Sequence, residues 1–191
     1  MITLREIREE DAEDMLDWMH DPESQKGFQK NILGVTLEEA REFCRNAKLR
    51  ENLEQGQSIH LAVAGAGDEY LGTISLKEIN PEYHSAELAI ALRKKARGKG
   101  IATKAVELLL KKAFEEMNLH RIYLTVLADN IPAIRLYERC GFVFEGELRD
   151  HLFLNGRYIS WKLYGILDGE FAERMQQREA VNQMIGEKQK L

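Results

Sequence analysis

Leu92-Arg93-Lys94-Lys95-Ala96-Arg97-Gly98-Lys99-Gly100-Ile101-Ala102 breaks an apolar strand into a basic, glycine-bearing turn and opens directly into a helix. The helix predicted over 98–117 sets Ala102, Val106, Leu109, Ala113 and Met117 on one stripe, the spacing of a helix packed on a sheet. Its first amides lack partners inside the helix, and the aligned peptide dipoles leave partial positive charge at that end. A bare glycine turn there is an anion site. Gly98 and Gly100 let a ligand approach the backbone. Six basic residues, Arg93, Lys94, Lys95, Arg97, Lys99 and Lys104, fall between Arg93 and Lys104 with no acid among them, although the chain carries a formal net charge of −5. The positive field is local. A solvated basic face on a helix is the competing reading of the same pattern.

The 191 residues suffice for one domain with a substantial core, and nothing in them requires two. The expected division is one domain over 1–167 followed by a polar helix or tail over 168–191. No apolar run approaches the roughly 20 residues of a membrane span, and no leader or lipidation signal is recognised, so a cytoplasmic protein without membrane contact is expected. Cys44 and Cys140 are far apart and lie in no metal-ligand pattern, which favours buried thiols over a disulfide or a zinc site. An isoelectric point near 5.6 disfavours nucleic acid as a partner. One short basic turn suits a small phosphorylated ligand better.

Outward from the turn, residues 2–7 alternate as a strand and 11–19 form a helix with Ala12, Met15, Leu16 and Met19 on its apolar side. The segment 23–35 has no clear period and reads as a functional loop around Phe28, Ile32 and Leu33. Thr36-Leu37-Glu38-Glu39 is a capping box opening a helix to about Leu53. Strands follow over 58–64, 70–79 and 85–92, the first two joined by the turn at 65–68, and a further strand spans 120–127. Strand, crossover helix and strand in that order make 85–92 and 120–127 parallel neighbours. Pro132, with Asp129 or Asn130 as cap, starts a helix over about 133–139 that Gly141 closes. Residues 142–148, 152–154 and 157–166 form a hairpin turning at Asn155-Gly156. The polar helix over 170–188 carries a thin stripe of Phe171, Met175 and Met184. Such a helix either packs on a partner subunit, as in a homodimer, or frays.

Ligands in open sheets lie beyond the carboxyl ends of parallel strands. Asn130 and Tyr137 follow such an end: Asn130 offers amide hydrogen bonds or a helix cap, and the Tyr137 phenol is basic enough to match a departing alkyl thiol, or is a core ring.

At this point Arg97-Gly98-Lys99-Gly100-Ile101-Ala102 resembles the pyrophosphate loop, Arg/Gln-x-x-Gly-x-Gly/Ala, of the GNAT superfamily of acetyl-CoA-dependent N-acetyltransferases. Asn130-Ile131-Pro132-Ala133-Ile134-Arg135-Leu136-Tyr137-Glu138-Arg139-Cys140-Gly141-Phe142 is similar to that family's Asn-x-x-Ala-x-x-x-Tyr-x-x-x-Gly-Phe segment. The resemblance spans about 2–166, strongest from Tyr70 onward to the branch of ribosomal-protein N-terminal, spermidine and nucleotide-amino-sugar acetyltransferases. It implies a single α/β (α+β) domain with a mixed, mostly antiparallel sheet, a splayed parallel pair flanked by helices, and a C-terminal helix.

The resemblance also implies roles. Backbone groups of Ile90, Ala91 and Leu92 pair with the pantetheine arm, and residues Arg97, Gly98, Lys99, Gly100, Ile101, Ala102 and Thr103 hold the pyrophosphate. Asn130 and Ala133 lie on the cofactor side, and Tyr137 protonates the thiolate. Glu87 is the candidate base or acceptor ligand, ahead of His60, His84 and His151. Phe28, with Trp18 and Trp161 as further rings, is the candidate acceptor contact. The acceptor is expected to be a small amine such as an amino sugar or polyamine, although the Phe28 loop lacks the dense acidic patch a polyamine would favour. A protein N-terminus is the alternative acceptor, and a non-catalytic acetyl-CoA-binding module and an unrelated phosphate-binding domain are the competing classes.

Overall fold

The period-two segments pair into one seven-stranded sheet. The computed structural model describes residues 1–25, 28, 31–47, 54–154 and 156–188. Strands β1 (Thr3–Glu6), β2 (Gln57–Ala64), β3 (Tyr70–Asn80), β4 (Ser85–Leu92), β5 (Arg121–Leu127), β6 (Val143–Leu154) and β7 (Arg157–Leu167) lie in the order β1-β2-β3-β4-β5-β7-β6. Every neighbouring pair is antiparallel except β4 and β5. The crossover between those two runs through a helix, as a parallel connection must.

The parallel ladder is short. It joins Ser85 to Arg121, Ala86 to Ile122 and Glu87 to Tyr123, and then stops. On its other side β4 stays paired with β3 as far as Leu92 opposite Gly72. From Leu88 onward, β4 therefore has one paired edge and one unpaired edge facing β5.

Alternation along β3 and β4 divides the core. Leu76 opposite Leu88 and Ile74 opposite Ile90 face α4 (Ile101–Lys111), whose Ala105, Val106, Leu109 and Leu110 are buried. Burying a leucine of this kind contributes about 2 kcal/mol. The predicted stripe holds at Val106, Leu109 and Ala113, whereas Ala102 and Met117 are half-buried. Ala102 and Met117 still pack against the same core, Met117 beyond a π-turn over Lys112–Glu116.

The opposite face carries α1 (Asp11–Met19), α2 (Pro22–Gln25) and α3 (Leu37–Asn46), with Met15, Trp18, Ala40 and Cys44 packed over Ala62 and Tyr70. The capping box at the start of α3 is present: the Glu39 amide donates to Thr36 Oγ1 at 3.3 Å and the Thr36 amide to Glu39 Oε2 at 2.7 Å. The predicted continuation toward Leu53 falls on 48–53, outside the described residues. Helix α5 (Ile131–Cys140) ends at Gly141, left-handed at φ 97°. Strand β6 runs unbroken where two pieces were expected, since register shifts between Phe144 and Gly146 and between Leu148 and Leu152 absorb the polar interruption. In the final helix, α6 (Asp168–Lys188), Phe171 is buried against the core and Met175 packs beside it, while the Met184 side chain lies outside the described residues.

Burial raises both cysteine thiols to about 11. Among the described residues no helix is long and apolar enough to cross a membrane, and no three His, Cys, Asp or Glu side chains are grouped to hold a metal ion.

Candidate active site

The separation of β4 from β5 builds a cleft, and the turn after β4 closes one end of it. Gly98 and Gly100 are both left-handed, at φ 72° and 74°, and a Cβ at either would meet nothing within 4 Å. Gly100 is the N-cap of α4 and supplies no side-chain cap; the first helical bond runs from the Lys104 amide to its carbonyl at 3.1 Å. The amides of Ile101, Ala102 and Thr103 are thus left to an outside acceptor. This end of the helix, exposed and flanked by the exposed Lys94, Lys99 and Lys104, fits a pyrophosphate.

The other bases of the turn are committed elsewhere. Arg93, 8% exposed, ion-pairs with Asp14 and Asp17 and donates to the Tyr70 carbonyl at 3.2 Å. Lys95 reaches Glu69 at 3.2 Å. Arg97 donates from Nη1 to Asp21 at 2.6 Å, from Nη2 to Ser24 Oγ at 2.6 Å, and from Nε to the Leu92 carbonyl at 3.0 Å. Of these three, only Arg97 is a pyrophosphate candidate by the family resemblance, and its partner Asp21, 76 residues away, leaves no local mark in the sequence.

Tyr137 is part of the core, 7% exposed, with its ring edge against Phe142 at 5.8 Å. Burial first, then the nearby Cys140 and Glu87, push its phenol well above the usual value. Among the described residues its hydroxyl has no hydrogen-bond partner. Asn130 caps α5, its Oδ1 accepting from the Ala133 amide at 3.3 Å. Asn130→Ala should destabilise the fold by about 1 kcal/mol, whereas Asn130→Ser keeps a cap. Chemical denaturation and acetyl-CoA titration of the two variants therefore separate the cap from any cofactor contact: if both weaken acetyl-CoA equally, the amide itself touches the ligand.

Glu87 sits at the last rung of the parallel ladder, half-buried, where the sheet opens. Lys77, opposite it on β3, approaches Oε2 at 2.8 Å, and Thr125 on β5 donates to Oε1 at 3.3 Å. Tyr123 pairs with Glu87 across the ladder. Its phenol is raised first by burial and then by Glu87 and Glu78. Lys77, Tyr123 and Thr125 were not singled out in the sequence. The signal was available for Lys77, since a short β3–β4 connection sets opposite charges across from each other.

The candidate rings scatter. Phe28 stacks on Trp18 at 5.6 Å, and Trp18 is buried with its Nε1 donating to the Tyr70 hydroxyl at 2.9 Å. Trp161 packs against His151 at 4.8 Å. His84 Nδ1 lies 2.9 Å from the Asn118 carbonyl oxygen, and His60 Nδ1 is 2.7 Å from Ser75 Oγ. Burial, then the charge of Lys77, lowers the His60 pKa.

A family model described as an acetyltransferase (GNAT) domain matches residues 1–143. The chain belongs to the GNAT acetyltransferase family. It is 35% identical over 151 residues to a spermidine N(1)-acetyltransferase of Vibrio cholerae, covering 76% of this chain and 85% of that protein. The crystal structure of the spermidine N-acetyltransferase from Vibrio cholerae in complex with CoA and spermine superposes with a TM-score of 0.79 at 30% identity, over 90% of this chain and 98% of that one. A dodecameric structure of the spermidine N-acetyltransferase from Vibrio cholerae superposes at 0.70 and 30% identity, over 91% and 97% of the two chains. As a GNAT acetyltransferase, this chain is an enzyme that uses acetyl-CoA as its co-substrate.

Proposed function

We propose that this enzyme transfers acetyl from acetyl-CoA to a primary amine of a polyamine by direct attack, acting in the cytoplasm. The observation that carries the reading is the Glu87 carboxylate, held by Lys77 and Thr125 at the mouth of the β4–β5 cleft and close enough to Tyr137 to raise its pKa. The likeness to spermidine acetyltransferases supports the acceptor class.

Acetyl-CoA supplies an activated acyl group on a thiol leaving group. Around it, the unpaired edge of β4 from Leu88 to Leu92 gives Ile90, Ala91 and Leu92 backbone groups that bind the pantetheine arm as an added strand. A β4 amide on that edge polarises the thioester carbonyl. The amides of the α4 start hold the pyrophosphate, aided by Lys99. Glu87 accepts a proton from the acceptor ammonium, directly or through water, so that neutral nitrogen attacks. A nitrogen–carbon bond forms, the carbon–sulfur bond breaks, and Tyr137 gives its proton to the sulfur. The new amide loses a second proton, which returns the phenol to its starting state, and one proton is released overall.

Self-association, as a homodimer or a larger assembly, belongs to the same proposal. It is supported by apolar groups exposed on the β6–β7 hairpin, among them Phe144, Phe153 and Tyr158.

The test is a thiol-release screen with acetyl-CoA against spermidine, spermine, nucleotide-linked amino sugars and peptide N-termini. Turnover is expected with the polyamines, and Glu87→Gln should lower kcat/KM for spermidine by about 10²-fold. Turnover confined to amino sugars or peptides would replace the acceptor, and silence on every class would leave an acetyl-CoA-binding module.

A further inference from the structure

Asp14 and Asp17 lie one turn apart on α1, Asp21 falls in the break before α2, and Ser24 lies on α2, so that four polar side chains follow one another as a row. The structure lays that row against the turn after β4. Arg93 takes Asp14 and Asp17, while Arg97 takes Asp21 and Ser24 and reaches back to the Leu92 carbonyl at the end of β4. Asp21 is well shielded, with 15% of its side chain exposed. Burial pushes its carboxyl up, but the hydrogen bond from Arg97, the Glu23 amide and the charges of Arg97 and Lys94 outweigh it and hold it below the usual carboxylate range.

All three nitrogens of the Arg97 guanidinium are therefore engaged, in two directions at once. One side fixes the carboxyl end of β4, where acetyl-CoA is proposed to lie. The other fixes the start of the segment leading to Phe28. A planar fork can hold both ends in this way, and an ammonium cannot.

We infer that Arg97 is a positioning residue for the acceptor side, tying α2 to the end of β4, and that the pyrophosphate is held without its side chain, by the α4 amides and Lys99. This assigns the acidic row on α1 and α2 a role as well. Asp21 and Ser24 set where the acceptor-facing segment sits relative to the thioester. The inference rests on the acetyltransferase reading of the cleft and deepens it.

Two readouts separate the arms. Calorimetric titration with CoA reports the donor side without any acceptor. Steady-state kinetics with spermidine and acetyl-CoA report both sides. Arg97→Gln and Asp21→Asn are each expected to leave the CoA Kd within about twofold and to raise the spermidine KM about tenfold, a loss of the size expected when a charged hydrogen bond is removed. Lys99→Ala should do the reverse, weakening CoA about tenfold at unchanged spermidine KM. Arg97→Lys keeps the charge but loses the fork, and should behave like Arg97→Gln.

Should spermidine prove not to be an acceptor, hydrogen exchange over residues 21–25 replaces the kinetic arm. Arg97→Gln is expected to speed exchange there while CoA still binds, with the milder Ser24→Ala giving a smaller change in the same direction. The inference is overturned if Arg97→Gln weakens CoA as much as Lys99→Ala does. It is equally overturned if Asp21→Asn tightens CoA, because the aspartate would then be competing with the pyrophosphate for the arginine.

Discussion

Tyr137→Phe is expected to lower kcat by about 10²- to 10³-fold with acetyl-CoA binding nearly intact. The hydroxyl sits on a ring that burial first, then the neighbouring Cys140 and Glu87, keep protonated well past the ordinary phenol range. A raised pKa means the proton is present at every pH at which an amine acceptor is being titrated. The wild-type kcat should therefore rise as the acceptor ammonium loses its proton, and show no fall up to about pH 10 from loss of the tyrosine proton. The same shift makes the phenol a weaker acid than the thiol it serves, so its help arrives late, as a hydrogen bond that becomes a transfer only once charge has built on sulfur. Stability should change little, because the hydroxyl has no partner among the described residues to lose. Equal turnover in the two proteins across pH would remove Tyr137 from the mechanism. A rise in acetyl-CoA KM at constant kcat would make it a binding contact.

The second large effect is Gly72→Ala. Gly72 lies opposite Leu92 in the β3–β4 ladder, and a Cβ there would stand 2.2 Å from the Ala91 carbonyl oxygen and 2.8 Å from the Leu92 Cα. Both are backbone atoms of the strand end proposed to receive pantetheine, so neither can move aside alone. We expect a loss of about 3 kcal/mol, at the upper end for overpacking, read as a fall in Tm of roughly 6–12 °C for a chain of this size. The folded fraction should bind CoA more weakly, because the displaced groups are those of Ala91 and Leu92. Gly100→Ala is the contrast. Its Cβ meets nothing within 4 Å, so its cost is the left-handed backbone, about 1 kcal/mol. A Gly72→Ala protein with wild-type Tm and CoA affinity would show that the strand end is not held by this close approach.

Much of the architecture was legible because the residues that set it act locally. The parallel pair follows from strand, helix and strand in succession, the start of α4 from two glycines and the onset of a helical stripe, and the starts of α3 and α5 from the caps Thr36 and Asn130. Asn130 was read both as a cap and as a ligand contact, and the cap is what its side chain is seen to make. The stripe that begins in α4 reaches the core as far as Met117, although a π-turn over Lys112–Glu116 that composition does not report widens the last turn. In the site, Glu87 and Tyr137 were identified separately, one in a strand and one in a family segment. What joins them is the opening of the sheet after Glu87, and a sequence pattern does not report where a ladder stops.

The sequence by itself determined the donor. A glycine turn, a helix start and a cluster of bases are consecutive residues, and their chemistry follows from short-range geometry and the helix dipole. The tertiary structure decided which of those bases are tied to carboxylates of other elements. It set Arg93 against Asp14 and Asp17, Lys95 against Glu69 and Arg97 against Asp21 and Ser24, and it brought Lys77 and Thr125 onto Glu87. Charge along a chain is additive, but its availability depends on which opposite charges the fold places within a few ångströms. Those partners come from distant elements, and only packing brings them there.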